Sequence, residues 1–68
     1  MLNEDYIINT SICDARINLE HIINTNPQQV KQLAEKVLEK LKDSEGHKTR
    51  RQMVAAMLKK ANKLIGAS

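Results

Sequence analysis

The chain has 68 residues, 11 Lys and Arg against 8 Asp and Glu, a formal net charge of +3, one cysteine and one aromatic residue, Tyr6. A chain this short forms one domain and rarely draws more than about 3 to 5 kcal/mol from its own core. Its composition excludes an internal disulfide framework, a Cys/His metal module and the modules that stack bases on aromatic side chains. No stretch approaches the roughly 18 apolar residues that span a bilayer. The opening residues carry Glu4 and Asp5 rather than a basic region followed by an apolar run, so no cleavable signal is expected. A soluble, cytoplasmic protein is expected.

The first segment reads two ways, because Tyr6, Ile7, Ile8, Ile12 and Ile17 favour strands and Asn9, Thr10 and Ser11 form helices poorly. Periodicity favours helix: Ile8, Ile12, Ala15, Leu19, Ile22 and Ile23 fall at i, i+4, i+7, i+11, i+14 and i+15. Asn3 ahead of Glu4 and Asp5 makes a capped, acidic first turn. A helix at about 4 to 24 is expected, with a bend allowed near residues 9 to 11. Leu2, Tyr6, Cys13 and Ile17 then form a second stripe on the other side. Such a stripe would hold a homodimer, or it would pack on the third helix within one chain.

The second segment opens at Asn26 and Pro27, a favoured cap and a favoured first helical residue, with Gln29 at the capping-box position. Val30, Leu33, Ala34, Val37, Leu38 and Leu41 keep one helical stripe, which predicts a helix at about 27 to 43. Gly46 beyond it suits a left-handed end. The third segment, about 49 to 65, places Met53, Val54, Met57, Ala61, Leu64 and Ile65 on one face and ends at Gly66. Arg50 falls on that apolar face, so it is expected to fray away or to reach a carboxylate across an interface. Arg50 and Arg51 also oppose the dipole at a helix start.

The short connections predict an all-α, three-helix up-down-up arrangement, a helical hairpin plus an N-terminal helix, completed by homodimerisation. Charge is unevenly laid along it. Residues 1 to 25 hold four acids against Arg16, whereas residues 47 to 68 hold Lys48, Arg50, Arg51, Lys59, Lys60 and Lys63 and no acid. One explanation is cohesion between an acidic first helix and a basic third, although surface pairs contribute only about 0 to 1 kcal/mol each. The other is a cationic face for an acidic partner.

No phosphate loop, nucleophile elbow or metal-ligand spacing occurs, His21 and His47 stand on different elements, and Cys13 sits on an apolar stripe as a small hydrophobe. The expected protein is not an enzyme and takes no metal, cofactor or small-molecule substrate. It is a regulatory or adaptor protein with a dimer interface at Leu2, Tyr6, Cys13 and Ile17, and it binds an acidic protein surface through the six cations of the third helix. The alternative is a small DNA- or RNA-binding regulator. Phosphate contacts from Lys48, Arg51, Lys59 and Lys63 would give a log-log salt slope of roughly −3.6, with Arg51, Gln52 and Asn62 available to base edges. A basic amphipathic helix can also lie on a membrane surface, but this one has no Trp or Phe anchor and its apolar face is needed for the core.

Overall fold

The computed structural model describes residues 2 to 66, and every regular element among them is helical: α1 (Glu4–Asn9), α2 (Ile12–Ile23), α3 (Pro27–Leu41), a 3-10 turn (Glu45–His47) and α4 (Lys48–Gly66). The all-α reading holds, with four helices in place of three. The predicted third helix is α4, which begins one residue early and ends one late.

The expected rod over residues 4 to 24 is two helices, and local hydrogen bonding explains the division. Thr10 and Ser11 are extended, with ψ of 173° and 152°. The Ser11 hydroxyl accepts from the Asp14 amide at 3.1 Å and caps α2, while the Asn9 side chain donates to the Asp5 carbonyl at 2.8 Å. Side chains of Asn and Ser compete with the helical ladder in this way. The division resets the phase of the segment before it. Ile7, which lay on neither predicted stripe, becomes fully buried, and Ile8 and Leu2 pack against the same core.

The other starts follow the sequence closely. Asn3 accepts from the Tyr6 amide at 2.9 Å to cap α1. Asn26 accepts from the Gln29 amide at 3.2 Å to cap α3. Its own amide donates to the Gln29 side chain at 3.3 Å, a side-chain variant of the capping box. The glycines depart from expectation, since no glycine among the described residues has a positive φ. Gly46 sits inside the 3-10 turn that feeds α4 instead of ending α3 in a left-handed residue.

One core joins all four helices. Ile7 comes from α1, Ala15, Leu19 and Ile23 from α2, Val54, Met57 and Ala61 from α4, and α3 supplies Val30, Leu33, Ala34, Val37 and Leu41. The α3 stripe therefore sits at the centre, and its most extensive neighbour is α4. Met53, Leu38, Leu58 and Ile22 pack around this core, whereas Leu64, expected on the apolar face, is 37% exposed.

Candidate functional site

The six cations expected to form one binding face divide into two kinds. Arg50 and Arg51 are partly buried and serve the fold. Arg50 donates through Nη1 to the Ile7 carbonyl at 2.7 Å, 43 residues away, and its buried Nε has no hydrogen-bond partner. Arg51 donates to the Leu41 carbonyl at 3.0 Å and also to the Ser44 carbonyl. Ile7 and Leu41 lie in the last turns of α1 and α3, where the helix cannot satisfy its own carbonyls and where positive charge suits the dipole. Arg50 thus neither frays nor reaches a carboxylate, and the two arginines that oppose the α4 dipole each complement the end of another helix.

Lys48, Lys59, Lys60 and Lys63 are exposed. At 1.5 Å per residue, Lys48 to Lys63 extends over about 22 Å along the outer side of α4. The ion pairs among the described residues are Arg16 with Glu20 at 3.8 Å, Lys42 with Glu39 at 3.0 Å, and Lys40 with Asp5 at 3.2 Å and Glu4 at 3.9 Å. The acidic start of the chain therefore engages Lys40 of α3, and among the described residues no carboxylate pairs with a lysine of α4.

The four residues expected to hold a dimer are separated by the break between α1 and α2. Leu2 packs against the core. Tyr6 is 38% exposed, and its hydroxyl accepts from the Asn18 side chain at 3.0 Å. Cys13 is a free, exposed thiol in a groove between α2 and α4, lined also by Ile12, Arg16, Thr49, Gln52 and Met53. Among the described residues Ile17 is the most exposed large apolar one, at 53%. Sequence reasoning missed this groove, because its walls come from residues 33 to 41 positions apart.

His47 lies against Ser44, with Nδ1 2.5 Å from the hydroxyl, and so takes part in the turn. Among the described residues, no group of three or more His, Cys, Asp or Glu could hold a metal ion, and no helix is long and apolar enough to cross a membrane. The surfaces on offer are a lysine face on α4 and a shallow apolar groove beside it. No family model matches the chain, and no curated protein or solved structure is significantly similar to it.

Proposed function

We propose that the chain is a non-catalytic adaptor or regulatory protein that binds an acidic protein surface through Lys48, Lys59, Lys60 and Lys63 of α4. The observation that carries this reading is the division of labour among the α4 cations: both arginines are bound to backbone carbonyls, while the lysines stand exposed and without carboxylate partners. Cohesion within the chain does not account for those four lysines. An acidic protein is favoured over nucleic acid on two grounds. Arg51, the side chain best suited to bidentate phosphate or guanine contacts, is already engaged. The helix that carries the lysines also shares a groove with α2 whose lining includes half-buried Met53 and Ile12, apolar surface that a protein interface uses and a phosphate backbone does not.

The test is capture from nuclease-treated host extract on immobilised wild-type chain and on the Lys59→Glu/Lys63→Glu variant. The wild type should retain a partner that the variant loses, with both proteins equally helical by circular dichroism. Equal capture by the two would overturn the reading. Salt-dependent shifting of random duplex by the wild type, lost in the variant, would replace the protein partner with nucleic acid.

Self-association is a second reading, narrower than the four-residue stripe suggests, and the exposure of Ile17 favours it. Ile17→Asp should then convert a dimer to a folded monomer by light scattering. A wild type that is monomeric throughout would remove it.

A further inference from the structure

We infer that α1 is a detachable flap: residues 2 to 9 lift away and unfold while α2, α3 and α4 stay packed, and the open form presents Lys40, Arg50 and the apolar seat of Ile7. The chain between flap and body favours this division. Thr10 and Ser11 are extended, so neither helix continues into the other. Ser11 caps α2 by itself, its hydroxyl accepting from the Asp14 amide and its carbonyl from the Ala15 amide, and neither bond involves α1.

The hold of α1 on the body is short and discrete. Of the twelve buried apolar residues described, eleven belong to α2, α3 and α4 and one, Ile7, to α1, with Leu2 and Ile8 half-buried beside the core. The α3 and α4 helices pack on each other and each packs on α2, which needs nothing from α1. The polar ties of α1 are the Tyr6 hydroxyl to the Asn18 side chain, Lys40 to Asp5 and Glu4, and Arg50 to the Ile7 carbonyl. Surface ion pairs such as those of Lys40 hold weakly. The charged bond from Arg50 is the firmest tie, yet closure has a cost there, because Arg50 Nε is buried with no hydrogen-bond partner. Opening lets water reach that N–H together with the freed Ile7 carbonyl, which offsets part of the lost bond. Six residues are too few to stay helical alone, so release is an order-to-disorder transition.

Two cations change availability with the flap. Closed, Lys40 faces the acids of α1 and Arg50 is committed to Ile7. Open, both are released beside an uncovered apolar seat. The flap therefore withholds charge and apolar surface together, whatever the lysines of α4 bind.

Native-state hydrogen exchange of the full chain in increasing urea reads the flap directly. The amides of Ile7, Ile8, Asn9 and Thr10, which close the turns of α1, should share one opening constant. It should exceed that of Val37 in α3 by about tenfold or more, with a smaller urea slope because less surface is exposed. Ala61→Gly alters a buried position of α4 about three turns from Arg50. Glycine in a helix interior should quicken Val37 by about fivefold and leave the four α1 amides unchanged. Ile7→Cys in a Cys13→Ser background puts the one thiol in the seat. Its labelling by a disulfide reagent should report an opening constant above that of Val37 in the same variant.

Four α1 amides with the protection and urea slope of Val37 would overturn the inference, because α1 would then open only with the whole fold. Equal quickening of α1 and Val37 in Ala61→Gly would do the same. Protection that falls away residue by residue without urea dependence would mean fraying in place of a flap, and would also overturn it. The wild-type slopes decide the outcome even where a variant fails to fold.

Discussion

At the scale of single residues, Arg50 and Arg51 reverse the meaning their positions suggest. Two cations in the first turn of a helix oppose its dipole, and that mismatch invites an external anion as its explanation. Each guanidinium instead spans to the C-terminal end of a different helix, Arg50 to Ile7 of α1 and Arg51 to Leu41 of α3. A hydrogen bond from a charged donor contributes about 1.5 to 3 kcal/mol, and losing it from Arg50 leaves the Ile7 carbonyl without that donor, whereas the Leu41 carbonyl keeps the Ser44 amide at 3.0 Å. The buried, unpartnered Nε of Arg50 offsets part of that gain. Arg50→Ala should therefore destabilise the fold near the lower end, by about 1.5 kcal/mol, shifting a urea midpoint by roughly 1 M for a small domain. Hydrogen exchange should quicken first in α1. An unchanged midpoint would show that the Ile7 carbonyl needs no donor from α4. For binding experiments the consequence is practical: arginine variants mix folding with recognition, and only the lysines probe the surface cleanly.

At the scale of elements, the break between α1 and α2 determines which apolar residues are spare. Ser11 with Asp14 three residues on, ahead of an apolar run, is itself a helix-start signature. The hydroxyl makes the cap that the spacing implies. Replacing Ser11 with Ala should cost about 1 kcal/mol, within a usual range of about 0.5 to 2. Chemical denaturation would measure it, and no loss would mean that packing of Ile7 alone holds the break. The α3 helix was legible from its cap, its proline and its unbroken stripe, because these are local features that tertiary packing had no reason to override. In the first segment the α2 periodicity was strong enough to be extended backward through Asn9, Thr10 and Ser11, which hid the phase change and left Ile7 unassigned. Contacts such as Arg50 with Ile7 join residues 43 positions apart, and no local pattern encodes them.

At the scale of the whole molecule, three of the four acids in residues 1 to 25 meet a cation, and the lysines of α4 meet no carboxylate among the described residues. Asp5 and Glu4 meet Lys40, and Arg16 meets Glu20, whereas Lys59, Lys60 and Lys63 crowd one another at i, i+1 and i+3 or i+4 spacing. Like charges at such spacing destabilise a helix by a few tenths of a kcal/mol each. A face built only for stability would alternate signs, as α3 does with Glu39 and Lys42. Lys59→Glu relieves this crowding and sets a glutamate four residues ahead of Lys63, the favourable order for an ion pair worth about 0.2 to 0.5 kcal/mol. Position 59 also lies seven residues before Gly66, outside the last turn, where the dipole would penalise an acid. The variant should therefore match or slightly exceed the wild type in thermal stability at low salt, and the gain should shrink as added salt screens both the repulsion and the new pair. Partner binding should fall in the same protein, separating the lysine face from the fold that presents it. A clear loss of stability in Lys59→Glu would instead mean that the lysine supports the helix, and the cationic face would then be a by-product of folding rather than a surface for recognition.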